Sequence, residues 1–199
     1  MSVFYLIRHG NNDWVGKKLA GWLPGVHLNE EGRRQADQAA EILAARPITR
    51  IFSSPLDRAK ETAAPLARKL GLEVHYSAKL GELHFGDWTG QSIEELSRTP
   101  AWRRWNAFRS AGRIPNGEMI SEAQARMVSE IERLRCEFPE EQIAIFSHGD
   151  PIRAALMHYL GMPLDFLPRL EVSPAGISIL SLTELSAEIH CVNDRAASR

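Results

Sequence analysis

Ser2-Val3-Phe4-Tyr5-Leu6-Ile7-Arg8-His9-Gly10 is a short β-branched and aromatic run that stops abruptly at a cation, an imidazole and a glycine. A strand buried on both faces, in the middle of a parallel sheet, reads this way. The same grammar recurs far downstream, where Gln142-Ile143-Ala144-Ile145-Phe146 ends in Ser147-His148-Gly149. In an open α/β sheet ligands bind beyond the carboxyl ends of the strands, so both imidazoles are expected at one crevice. The glycine after each lets backbone approach a ligand closely.

Outward from these two strands the text alternates strand and helix. From Asn29 to Arg46, Ala36, Ala39, Ala40 and Leu43 recur at helical spacing, with Asn29 as N-cap and Pro47 as the stop. Thr49 to Ser53 reads as a second strand, followed after Ser54-Pro55 by a helix to about Leu70 that Gly71 closes and Pro65 is expected to interrupt. Glu73 to Tyr76 is a third strand. Residues 78–120 mix Gly, Trp, Arg and Pro irregularly and read as an insertion over the sheet edge and the site, built of loops and short helices. Met127, Ile131, Leu134 and Phe138 restore helical period, Pro151 opens another helix, and Glu171 to Val192 alternates as one or two last strands. The pattern predicts an α/β fold in a single domain over residues 1–199.

Composition bounds the partners. The chain has 199 residues, 44% of them apolar, and 24 basic against 25 acidic side chains for a formal net charge of -1. Mixed charge leaves no footprint for nucleic acid or an anionic membrane, so an anion site must be local. No apolar stretch approaches the roughly 18 residues of a membrane span, and no secretory leader is read at Met1, so a cytoplasmic protein is expected. Cys136 and Cys191 then read as reduced core thiols.

The second strand feeds Ser53-Ser54-Pro55-Leu56-Asp57-Arg58, which brings Arg58 to the same edge, at a helix N-terminus suited to anions. Two arginines, two histidines and a helix terminus make a phosphate pocket. Arg8-His9-Gly10, the run from Ser53 to Thr62, the run Leu80-Gly81-Glu82-Leu83-His84-Phe85-Gly86-Asp87-Trp88-Thr89-Gly90, and Ser147-His148-Gly149 together resemble the successive signatures of the histidine phosphatase superfamily, the phosphoglycerate-mutase-like group. The resemblance runs from Val3 to about Gly161. It implies a three-layer α/β/α sandwich with a mostly parallel central sheet. It also implies His9 as nucleophile, Glu82 as proton donor, and Arg8, Arg58 and His148 around the phosphoryl group, with no metal. Asn12, Gly21 and Gly149 are the further candidate substrate-binding residues. His27, His75 and His84 are read as non-catalytic, and Phe85 and Trp88 as packing aromatics.

The chain departs from the family pattern in three places. Asn11 and Asn12 stand where a Glu and a hydroxyl residue are common, Val15 replaces a phosphate-contacting Asn, and Ala20 precedes Gly21-Trp22 where mutases have Thr. Arg103 and Arg104 resemble a carboxylate-binding pair of the mutases but read as a solvated helical face. The expected function is therefore a phosphatase of small phosphorylated metabolites working through a phosphohistidine. The alternatives are a phosphoglycerate mutase, the one case that would need 2,3-bisphosphoglycerate as cofactor, and a degenerate phosphate-binding module. A homodimer is compatible with the sequence but not dictated by it. Thiol phosphatase, aspartyl phosphatase, P-loop and zinc-protease motifs do not occur.

Overall fold

The computed structural model describes residues 1–195. Among them six strands form one sheet: β1 (Ser2–Arg8), β2 (Arg50–Ser53), β3 (Val74–Tyr76), β4 (Gln142–Ser147), β5 (Ile177–Leu182) and β6 (Ala187–Asp194), in the order β3-β2-β4-β1-β5-β6. β3, β2, β4 and β1 run parallel, whereas β5 is antiparallel to β1 and β6 to β5. The helices are α1 (Glu30–Ala44), α2 (Asp57–Leu70), α3 (Ile93–Ser97), α4 (Pro100–Ala107), α5 (Ile120–Glu137) and α6 (Gly149–Tyr159).

Strand alternation sorts the interior into two cores. On β1, Phe4 and Leu6 enter one cluster with Met127, Ile131 and Leu134 of α5 and Ile152, Ala155 and Leu156 of α6. Tyr5 and Ile7 enter the other, with Ala39, Ala40 and Leu43 of α1 and Ala63 and Leu66 of α2. β4 splits the same way, Ile143 and Ile145 against Ala144 and Phe146. The result is a three-layer α/β/α sandwich with a mostly parallel sheet. Its register is fixed because a one-residue slip would exchange the two cores.

The helix ends follow their caps. The Asn29 side chain accepts the Gly32 N–H at 2.9 Å, and Gly71 closes α2 with φ 66°, a left-handed conformation that costs glycine little. Two expectations fail. Pro65 does not interrupt α2, which runs unbroken around it. The helix is clamped by its buried stripe, Ala59, Thr62, Ala63 and Leu66, which offsets the roughly 3 kcal/mol that an interior proline costs. Both cysteines are free as expected, but Cys136 is exposed and Cys191 only half-buried, so neither is a core thiol. The inward stripe of α5 passes through Met127, Ile131 and Leu134, and Cys136 falls on the opposite side between Arg135 and Glu137.

Residues 78–120 are less irregular than their composition suggests. They hold α3, α4 and two short 3-10 turns, and they bury Leu83, Phe85, Trp88, Leu96, Trp105 and Ile114 in a third cluster against Ala123 of α5 and Ala154 and Met157 of α6. Trp88 and Phe85 are core residues there, as expected. No helix among the described residues is long and apolar enough to cross a membrane.

Candidate active site

β1 and β4 are adjacent and parallel, with Arg8 opposite Ser147, so His9 and His148 leave the sheet side by side. Their ring centroids lie 5.2 Å apart. The His9 N–H bonds the Ser147 carbonyl at 2.9 Å, and the Ala175 N–H reaches the carbonyls of Arg8 and His9. The Gly10 N–H donates to Thr62 Oγ1 at 2.9 Å, and that hydroxyl donates to the Arg58 carbonyl at 2.6 Å. Gly10 is required here, since a Cβ would stand 2.5 Å from the Gly32 carbonyl oxygen.

The imidazole chemistry follows from single hydrogen bonds. His9 Nδ1 sits 2.7 Å from the Gly10 carbonyl, which only accepts, so Nδ1 carries the proton and Nε2 keeps its lone pair. Burial, then the Arg58 and Arg8 guanidinia, hold His9 well below its ordinary 6.5, so it is neutral. His148 is held down by burial and then by Arg58. Its Nε2 lies 2.8 Å from Ser54 Oγ, which also accepts the Leu56 N–H at 3.3 Å. Nδ1 of His148 is buried without a hydrogen-bond partner in the protein. Arg8 donates to the Val172 carbonyl and Arg58 to the Gly21 carbonyl, each through one nitrogen, while Arg8 Nε and Arg58 Nη1 stay buried and unpaired.

Glu82 completes the group. Its Oε1 accepts the Leu83 N–H at 2.9 Å, and its Oε2 lies 3.8 Å from His148 Nδ1. Burial, then the Asp150 carboxylate, push its carboxyl above the ordinary 4.5. Ligand atoms of His9, Glu82 and His148 lie within 4.8 Å of one another, a spacing that a metal ion also accepts. The unpaired donors of Arg8 and Arg58 beside them favour an anion over a cation at that point.

These residues surround a cavity of about 180 Å³, lined by Arg8, His9, Arg58, Glu82 and Gly149, with His148 fully buried just behind its wall. Asn12 and Gly21 also line it. Asn12 Oδ1 accepts the N–H groups of Trp14 and Val15, which leaves its Nδ2 donors over. Asn11 is not on the cavity wall, its backbone N–H bound to Gln35 and its carbonyl to Asn29, so of the two asparagines only Asn12 lines the cavity beside Val15. Gly21, at φ 49°, holds Arg58 through its carbonyl. Gly149 makes room for Arg8, whose Nε lies 3.3 Å from where a Cβ would stand. Arg103 and Arg104 are exposed on α4 and outside the cavity. His84 stacks on Trp22 at 4.6 Å, and His27 pairs with Glu61 at 2.5 Å.

Sequence reading missed Arg126, which fastens the Glu82 loop. From α5 it donates to the carbonyls of Lys79, Gly81 and Glu82 and grips Glu118 through two nitrogens, while Glu118 accepts the His84 N–H. It also missed Asp150 and Arg153 on the cavity wall. Their spacing of three on one helix face was the available signal.

A neutral imidazole with a free lone pair, facing guanidinium donors and a carboxyl that burial raises above its ordinary value, is matched to the handling of a phosphoryl group by histidine. The comparisons agree. A family model described as "Histidine phosphatase superfamily (branch 1)" matches residues 4–195, and the chain belongs to that superfamily and is an enzyme. It is 32% identical over 191 residues to a glucosyl-3-phosphoglycerate phosphatase of Mycobacterium tuberculosis, covering 91% of this chain and 83% of that one. It is 30% identical over 180 residues to a probable phosphoglycerate mutase of Photorhabdus laumondii, covering 89% and 84%. A mycobacterial glucosyl-3-phosphoglycerate phosphatase solved with VO3 superposes with a TM-score of 0.86 at 31% identity, covering 96% of this chain and 98% of that one.

Proposed function

We propose that the protein hydrolyses small phosphomonoesters through a phosphohistidine formed on His9 Nε2, without a metal. The observation that carries this is the Nδ1 bond of His9 to the Gly10 carbonyl, which aims a neutral, unprotonated Nε2 away from its own backbone. Nε2 attacks phosphorus and the phosphorus–ester oxygen bond breaks. Arg8 Nε, Arg58 Nη1 and His148 Nδ1 donate to the equatorial oxygens, where charge is spread in a loose transition state. The departing alkoxide takes the Glu82 proton. Water then attacks the phosphohistidine, gives its proton to Glu82, and releases inorganic phosphate and free His9.

In this reading the chain works as one catalytic unit, with residues 78–120 supplying Glu82 and a wall from Phe85 and Ile93. The two free thiols suit a reducing compartment such as the cytoplasm. Phosphate release from alkyl monophosphates in excess chelator is the direct test. Activity is expected to survive chelation and to vanish in His9→Ala. Residual turnover within tenfold of wild type in that variant would exclude the histidine route. A mutase reading is suggested by the Photorhabdus relative and requires interconversion of 3- and 2-phosphoglycerate dependent on 2,3-bisphosphoglycerate. The place of Arg103 and Arg104 outside the cavity speaks against it.

A further inference from the structure

We propose that Trp22 is a positioning residue for proton transfer: the turn it shares with Gly21 straps Glu82 to Arg58, and so sets the proton donor against the group that holds the phosphoryl oxygens. The proposal rests on the phosphomonoester reading of the cavity and adds to it what fixes the geometry of the acid. Bonds to the rest of the site do not aim the Glu82 carboxyl. Among the described residues Oε1 accepts only the Leu83 N–H, at 2.9 Å, and Oε2 stands 3.8 Å from His148 Nδ1, beyond hydrogen-bond reach. The side chain is folded back on its own backbone, and whatever fixes that backbone aims the acid.

Two donors fix it. Trp22 Nε1–H reaches the Glu82 carbonyl oxygen at 2.6 Å, and Arg126 Nη2 reaches the same oxygen at 2.9 Å. A carbonyl oxygen has two lone pairs, so both are engaged and the peptide plane cannot swing without losing a bond. The indole is itself seated: a Cβ on Gly81 would run into its edge, and the His84 ring stacks on its face at 4.6 Å with the planes 4° apart. One residue earlier, the Gly21 carbonyl accepts Arg58 Nη2 at 2.9 Å. Consecutive residues of one turn, closed by the Leu23 N–H on the Ala20 carbonyl at 3.0 Å, therefore hold the phosphoryl anchor and the acid together. Gly21 lines the cavity and Trp22 does not, so Trp22 acts only through Glu82. Being neutral, the indole holds the loop without adding a positive charge that would favour loss of the Glu82 proton.

The test is single-turnover phosphorylation of His9 in Trp22→Phe, which keeps an aromatic ring on Gly81 and His84 but lacks the donor. With an alkyl monophosphate the rate should fall about tenfold, part of the roughly 10²-fold that a misplacement of ~1 Å costs. With p-nitrophenyl phosphate, which departs without a proton, it should change less than about twofold, and both esters should bind as before because Arg58 keeps Gly21. In a Glu82→Gln background Trp22→Phe should cost the alkyl ester less than about twofold more, since the two changes act through one group. His84→Ala removes the stack and keeps the N–H, and should leave the rate within about twofold. If Trp22→Phe does not fold, benzothienylalanine in place of Trp22 exchanges the N–H for sulfur in the same shape and should give the same pattern. An unchanged alkyl rate, an equal loss for both esters, or a full further loss on top of Glu82→Gln would overturn the proposal and leave the hydrolase reading standing. A wild type that forms no phosphohistidine with either ester would overturn both.

Discussion

Replacing Arg126 by methionine keeps the length and apolar stem of the side chain but removes every donor by which it fastens the Glu82 loop. Three carbonyls, of Lys79, Gly81 and Glu82, lose their guanidinium partner, and Glu118 loses both of its bonds to it. The pair is largely buried, with side chains 17% and 10% exposed. Breaking a buried pair from one side costs about 3–5 kcal/mol, and the slight exposure places this case near about 3 kcal/mol. The catalytic consequence is separate. A Glu82 no longer held in place forfeits at least part of the acid-base assistance, whose lower end is about 10²-fold in kcat. KM should move little, because Arg8 and Arg58 take their bonds from Val172 and Gly21 instead. Urea unfolding and a phosphate-release assay read the two effects. The double variant Arg126→Met with Glu118→Gln removes the stranded charge, so it should recover stability but not kcat. An unchanged urea midpoint with kcat within twofold of wild type would show that the loop holds its shape without Arg126.

Glu82→Gln should cost about 10²–10⁴-fold with an alkyl phosphate and much less with p-nitrophenyl phosphate, whose leaving group needs no proton. Because burial and Asp150 raise the Glu82 carboxyl, phosphorylation of His9 should slow as pH climbs through that raised value. Glu82→Gln should flatten this limb of the profile in single-turnover kinetics. Both imidazoles are held below their ordinary 6.5, so the folded chain refuses protons that the unfolded chain takes up. Their contribution is complete above 6.5 and is lost as pH falls toward the depressed folded values. Urea midpoints should therefore decline with acidification, less steeply in His148→Gln. Gly10→Ala sets a Cβ against the Gly32 carbonyl at 2.5 Å and should cost about 1–3 kcal/mol by overpacking, measured as a fall in thermal midpoint together with lost activity.

What the sequence made legible is local. The runs ending at His9 and His148 are buried on both faces, so their patterns could hardly be misread, and Asn29 and Gly71 fall at helix ends where their chemistry requires them. Arg58 was legible from the strand end and helix start that flank it, whereas Glu82 was legible only through resemblance, since its position does not follow from periodicity. Arg126 escaped because its function lies in carbonyls more than forty residues away, which no local pattern records. Pro65 was misjudged because local propensity was weighed without the buried face that overrides it. Cys136 was misjudged because residue type was allowed to outvote position on the helix.

The backbone of residues 8–10 is tied to Thr62, Ser147 and Ala175, points spread over most of the chain. His9 is made long before Ala175, yet the frame that holds it exists only once Ala175 has been added. Nascent fragments ending before that residue should be inert, and the appearance of turnover during translation should serve as a clock for completion of the fold.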